Sequence, residues 1–125
     1  MKPRAAIAAA ALLAIPVPAQ AVDVATFLKR VDALQRLGPL ALLSPDFRRL
    51  KHLVEADGDA LKADYARAKA DNRPTGFCPP AGGKPRFSKD EFLAGANAVP
   101  VDQRATTDTK DVLRVLLARK YPCPA

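Results

Sequence analysis

Between residues 24 and 37, apolar side chains recur at steps of three and four: Val24, Phe27, Leu28, Val31, Leu34 and Leu37. That spacing gathers them on one face of a helix. Asp23 precedes the run, where its carboxylate can accept from the free N–H groups of the first turn. Gly38-Pro39 ends the helix. Leu40-Ala41-Leu42-Leu43 then forms a short apolar stretch, expected to act as a hydrophobic plug between helices. Ser44-Pro45 opens a second helix, with Ser44 as cap and Pro45 at a position whose N–H has no partner to lose. Its buried face is Phe47, Leu50, Val54, Leu61 and Tyr65, with Leu53 on the same side. Gly58 interrupts the pattern at a cost of about 1 kcal/mol relative to Ala, so the sequence allows a kink there or two abutting helices. Residues 62–71 are Ala-rich and charged, and this end is expected to project into solvent.

The pattern breaks over 72–87, a linker dense in Pro and Gly. Pro removes backbone donors and Gly adds freedom, so such a segment needs an external tie. A third helix opens at Ser88, which has capping-box spacing to Glu91. Phe92, Leu93 and Ala96 face inward and Pro100 ends it. A polar loop over 101–107 leads to a fourth helix over 108–121, with Val112, Leu113, Leu116 and Leu117 as its stripe. No stretch alternates with period two for long enough to predict a strand. The reading is an all-α domain of four to five short helices over residues 22–125, with N-terminal helices in 22–70 and a helical hairpin in 88–125.

The first residues change the picture of where the chain works. Lys2 and Arg4, an uncharged apolar run over 5–15, the break Pro16-Val17-Pro18 and the small residues Ala19-Gln20-Ala21 have the three parts of a secretory signal. Cleavage is expected between Ala21 and Val22. The apolar run is shorter than the ~20 residues that span a bilayer. No later run is long enough to do so, so the processed chain is expected to carry no membrane span and to reside in the periplasm or outside the cell. Cleavage removes two of the cations behind the formal charge of +7. The remaining mild basicity suits an acidic partner or an anionic envelope polymer. Trp is absent, and no basic block alternates with stacking aromatics, so nucleic acid is not an expected partner.

In this setting the two cysteines, Cys78 and Cys123, predict a disulfide. One intramolecular pairing exists, and it closes helices three and four into a stapled hairpin. The bridge is expected to be the only firm hold on the linker. A redox or nucleophilic cysteine needs a thiolate-stabilising neighbour, and neither Cys78 nor Cys123 has a His or a Cys-x-x-Cys partner nearby.

Enzymatic signatures are weak. His52, the one histidine, lies among Arg48, Arg49 and Lys51 with Glu55 one helical step away, the pattern of an exposed basic helix face. One His and two bridged cysteines leave a zinc site short of ligands. Gly82-Gly83-Lys84 is followed by Pro85 where a phosphate loop needs Ser or Thr. No cofactor motif is present, and the expectation is a non-enzymatic protein without a cofactor.

Phe77-Cys78-Pro79-Pro80, a capped helix, a polar loop, a second amphipathic helix and Tyr121-Pro122-Cys123-Pro124 together resemble the C-terminal part of the Rap/Tai immunity proteins. These are small exported helical proteins of Gram-negative bacteria that protect the cell from type VI secretion amidases acting on peptidoglycan. The resemblance covers residues 77–124. Family members often carry a second cysteine pair and a Gly-containing aromatic segment in the N-terminal half, and residues 22–70 have neither. The resemblance implies a periplasmic binding protein that occludes a secreted peptidoglycan amidase, the Cys78–Cys123 bridge, a homodimer, and a loop that enters the amidase cleft. The loops over 79–86 and 101–107, with Arg86 and Arg104, are the candidates for that contact. The alternative is a small cell-envelope structural or interaction protein that meets its partner through its positive charge.

Overall fold

The computed structural model describes residues 22–81 and 83–124. The expected signal segment, Ala21 included, lies outside the described residues. Four α-helices follow in order: α1 (Val24–Arg36), α2 (Pro45–Ala70), α3 (Lys89–Ala98) and α4 (Thr109–Lys120). A 3-10 turn over Gly38–Leu43 joins α1 to α2, and a shorter one over Val101–Gln103 lies between α3 and α4. The all-α expectation therefore holds, and no strand is formed among the described residues.

Local chemistry accounts for the boundaries. The Asp23 carboxylate accepts from the Thr26 N–H and the Thr26 hydroxyl, both at 2.8 Å, and fixes the start of α1. Gly38 takes a left-handed φ of 59° directly after α1. Such a turn comes cheaply only without a Cβ. α2 runs unbroken for 26 residues through Gly58. A Cβ at Gly58 would meet nothing within 4 Å, so this glycine costs some helix propensity without breaking the helix. α2 stops in a Schellman arrangement. Asn72 adopts φ 53°, its N–H donates to the Lys69 carbonyl at 3.3 Å, and the Arg73 N–H donates to the Ala68 carbonyl at 2.8 Å. At α3 both halves of the Ser88–Glu91 capping box are present.

One core takes side chains from all four helices: Val24, Phe27 and Leu34 from α1, Leu50 and Leu61 from α2, Phe92 and Ala96 from α3, and Val112, Leu113 and Leu117 from α4. Phe27 and Phe92 meet edge to face with ring centres 5.3 Å apart, which joins α1 to α3. Gly95 brings α3 close to α4, since a Cβ there would lie 3.2 Å from a Val112 methyl. The start of the described chain is stitched to the start of α4. The Val24 N–H donates to the Thr107 carbonyl (2.8 Å) and the Thr109 N–H to the Val22 carbonyl (3.0 Å).

Cys78 and Cys123 form the expected disulfide, 45 residues apart in sequence. The bridge is not the linker's only tie, however. The Cys78 N–H donates to the Tyr121 carbonyl at 2.8 Å. The Tyr121 hydroxyl accepts from the Arg86 N–H at 3.0 Å and donates to the Arg86 carbonyl at 3.2 Å. One aromatic residue beside the staple thus holds both ends of the Pro-rich segment.

Two sequence expectations fail for packing reasons. The far end of α2 does not project into solvent. Leu61 and Ala68 are buried, and Tyr65 packs on Phe77 of the linker with ring centres 5.5 Å apart. Asp64 takes an ion pair from Lys110 of α4 at 2.7 Å. Nor do the leucines of 40–43 plug the helices. Leu40, Leu42 and Leu43 are 66%, 68% and 78% exposed, and Ala41 alone turns partly inward. A 3-10 turn repeats every three residues, too tight to keep all of a continuous apolar run on one face.

Candidate functional site

The turn that expels its leucines also borders a broad apolar concavity. α1 contributes Phe27, Val31 and Leu34 to it, and α2 contributes Phe47, Leu50 and Val54. Phe87, Phe92 and Leu93 close the third side, and Ala41 and Leu42 form the end nearest the turn. The groove holds about 730 Å³. That volume falls within the ~300–1,000 Å³ typical of ligand-binding clefts. Its polar lining is sparse: Gln35, Lys51, Glu55 and Lys89. Lys51 and Lys89 stand on different walls, one on α2 and one at the start of α3. Glu55, the lone acid of the lining, faces Lys51 at 4.0 Å and His52 Nδ1 at 3.3 Å.

Next to the groove, Leu37, Leu40, Leu42 and Leu43 make an apolar ridge whose members are 47–78% exposed. Single exposed leucines are ordinary on a protein surface; a cluster beside an apolar groove is a candidate interaction site. The ridge is held by backbone rather than by burial. The Leu37 N–H donates to the Leu34 carbonyl and the Ser44 N–H to the Ala41 carbonyl, both at 3.0 Å.

A second cleft of about 520 Å³ lies over the end of α2, lined by Arg67, Arg73 and Arg114 with Tyr65 and Phe77. Each arginine is already paired nearby: Arg67 with Asp64 at 2.6 Å, Arg73 with Asp71 at 3.1 Å, and Arg114 with Asp111. The Lys110 ammonium and the Arg67 guanidinium hold the Asp64 carboxyl below the usual carboxylate range. The cleft is therefore a neutralised mosaic rather than a cationic pocket.

Of the residues singled out from sequence, Cys78 and Cys123 come together. Arg86 and Arg104 do not. Arg86 sits at Tyr121, beyond the C-terminus of α4, while the loop carrying Arg104 precedes its N-terminus. α4 separates them by about 18 Å. The Arg86 side chain is exposed. The Arg104 guanidinium is spent on the end of α3, donating to the Val99 carbonyl at 2.9 Å and to the Asn97 carbonyl at 3.0 Å. His52 is exposed and its Nδ1 lies 3.3 Å from a Glu55 carboxylate oxygen. Among the described residues, no three His, Cys, Asp or Glu side chains are grouped to hold a metal ion, and no helix is long and apolar enough to cross a membrane.

Sequence reasoning missed the groove and a buried polar pair. The groove residues were assigned to the core, because a helical stripe announces burial without saying what covers it. Asp57 is 7% exposed and accepts from the fully buried Thr109 hydroxyl at 2.7 Å. Burial pushes the Asp57 carboxyl up, against the lowering effects of the Thr109 hydroxyl and of Lys110. This pair lies inside the α2–α4 contact, away from the groove lining, and joins helices rather than forming an open site. No family model, curated protein or solved structure matches the chain.

Proposed function

We propose that this protein is an exported, non-enzymatic binding protein that acts in the periplasm by occluding a partner protein, in the manner of the immunity proteins that its C-terminal half resembles. The partner in this reading is a secreted peptidoglycan amidase. The observation that carries the binding role is the leucine ridge continuous with the apolar groove, an exposed surface that folding leaves unused. Removing apolar surface from water is the dominant favourable contribution to most protein–protein association. The disulfide and the Tyr121 clamp hold the linker that ends in Phe87, and Phe87 forms part of the groove wall. The contact surface is thus moved from the loops of Arg86 and Arg104 to the α1–α2 face.

The test is inhibition. The purified mature protein is mixed with the secreted peptidoglycan amidases of the same genome, and muropeptide release is followed. One amidase should be inhibited at a stoichiometric amount of the protein. The variant Leu42→Glu/Leu43→Glu should be folded and inactive as an inhibitor. Full inhibition by that variant, or no inhibition of any amidase, would overturn the reading.

A further inference from the structure

The groove's walls have a length and a charge pattern that specify its occupant. On α1 the lining runs from Phe27 to Gln35, and on α2 from Phe47 to Glu55. Each spans about 12 Å of helix axis at 1.5 Å per residue. An amphipathic helix presenting apolar residues at i, i+3, i+4 and i+7 covers about 10.5 Å along its own axis, so its stripe matches both walls. The cations stand on more than one bank: Lys51 on α2 and Lys89 on α3 line the groove. Arg30 and Arg48 are exposed and lie one residue from the lining positions Val31 and Phe47, about 100° round their helices. Among the described residues, Arg30, Arg48 and Lys89 make no ion pair, whereas Asp32 pairs with Arg36, Asp46 with Arg49, and Glu55 with Lys51 and His52. Lys89 also opens α3, where the helix dipole favours an acid. Its charge therefore does not serve its own helix.

From this we infer that the groove receives a helical segment of the partner, about two to three turns long, with a leucine-type apolar stripe flanked on both sides by Asp or Glu. An acyl chain with one anionic head needs a cation at one end of a groove. Cations on different banks fit a helix with acidic flanks. The leucine ridge extends the apolar surface beyond the groove, and the end of the helix's apolar stripe would cover it. The inference rests on the protein-binding reading above and gives the chemistry of the docking element.

The probe is a synthetic 15-residue peptide with Leu at i, i+3, i+4 and i+7 and Glu at the flanking positions, together with a twin carrying Lys in place of Glu. Binding to the mature protein at low salt is followed by fluorescence anisotropy and by amide chemical-shift changes. The Glu peptide should bind at least tenfold tighter than its twin, with shifts at Val31, Leu42, Val54 and Leu93. Lys51→Glu/Lys89→Glu, two exposed positions, should reverse the preference. Leu42→Glu should weaken binding at least tenfold with the circular dichroism unchanged. Equal affinity for the two peptides, no binding of the Glu peptide, or shifts confined to the arginine cleft overturns the inference. So does a dansyl-labelled single-chain fatty acid that binds the groove and resists displacement by the Glu peptide. If amidase inhibition is lost in Leu42→Glu but the Glu peptide does not bind, this inference fails and the functional reading stands. Peptide binding without inhibition of any amidase has the opposite meaning.

Discussion

The Thr109 hydroxyl donates to the Asp57 carboxylate at 2.7 Å inside the core, and this bond joins the middle of α2 to the first turn of α4. The Thr109 side chain is fully buried, so its hydroxyl has no water as a substitute partner. Asp57→Ala should cost about 1–3 kcal/mol, the penalty of leaving a buried hydroxyl unpaired. Thr109→Val should cost a similar amount, for it strips the carboxylate of its donor. The double variant Asp57→Ala/Thr109→Val should be more stable than the sum of the two losses implies, because no orphan remains. Urea unfolding of the four proteins completes the cycle, and strict additivity would show that the pair is not coupled.

The same carboxylate gives the protein a pH signature opposite in sign to its other shifted acids. Asp23, Asp64 and Glu91 are held below their ordinary values by hydrogen bonds and cations. Each favours the folded state above its unfolded pKa, and that contribution is lost as pH falls through the folded value. Asp57 is raised by burial, so the folded state holds its proton more tightly than the unfolded chain. Its contribution to stability therefore falls as pH rises from the ordinary Asp value through the raised one. Asp57→Asn keeps an acceptor for Thr109 and removes this titration. Its stability relative to the parent should increase with pH across that window and then level off. Denaturation curves at pH 3 to 7 would show this, and a constant offset would refute it.

Reduction should expose how the linker is held. The Cys78–Cys123 bridge closes a loop with a sequence separation of 45 residues. Chain-entropy reasoning assigns such a loop about 4 kcal/mol. Cys78→Ser/Cys123→Ser should lose up to that amount in urea unfolding. Tyr121→Phe should lose about 1 kcal/mol, since Arg86 gives up two hydrogen bonds but gains access to water. Because the hydroxyl and the bridge hold different points of the linker, amide exchange in Tyr121→Phe should rise around Arg86 and stay slow at Cys78. Uniform loss of protection across the linker would mean that the bridge alone sets its order.

Local signals were legible and tertiary ones were not. Asp23, Ser44 and Ser88 announce helix starts because a cap is a contact between near neighbours in sequence. The staple was legible because two cysteines have one way to pair. Whether Gly58 breaks α2 was not, since that depends on what lies across from it, and the space there is open. The charged end of α2 reads as solvent-exposed by composition, yet Tyr65 finds Phe77 and Asp64 finds Lys110, both distant in sequence. The leucines at 40, 42 and 43 read as core by hydropathy. Only the geometry of the turn turns them outward.

That last discrepancy separates stability from binding in a way substitutions can measure. Leu34 and Leu42 both line the groove, but Leu34 is 8% exposed and Leu42 68%. Leu34→Ala removes packed core atoms and should cost about 2–5 kcal/mol. Leu42→Ala and Leu43→Ala remove atoms already in water and should shift stability by no more than about 0.5 kcal/mol. If the ridge serves a partner, the order inverts for binding: the exposed leucines should dominate affinity, and Leu42→Ala should weaken binding to that partner at least tenfold. Thermal unfolding and partner titration on the same variants give both rankings. A stability loss at Leu42 comparable to that at Leu34 would mean that the turn folds inward in solution and that the ridge is not a binding surface.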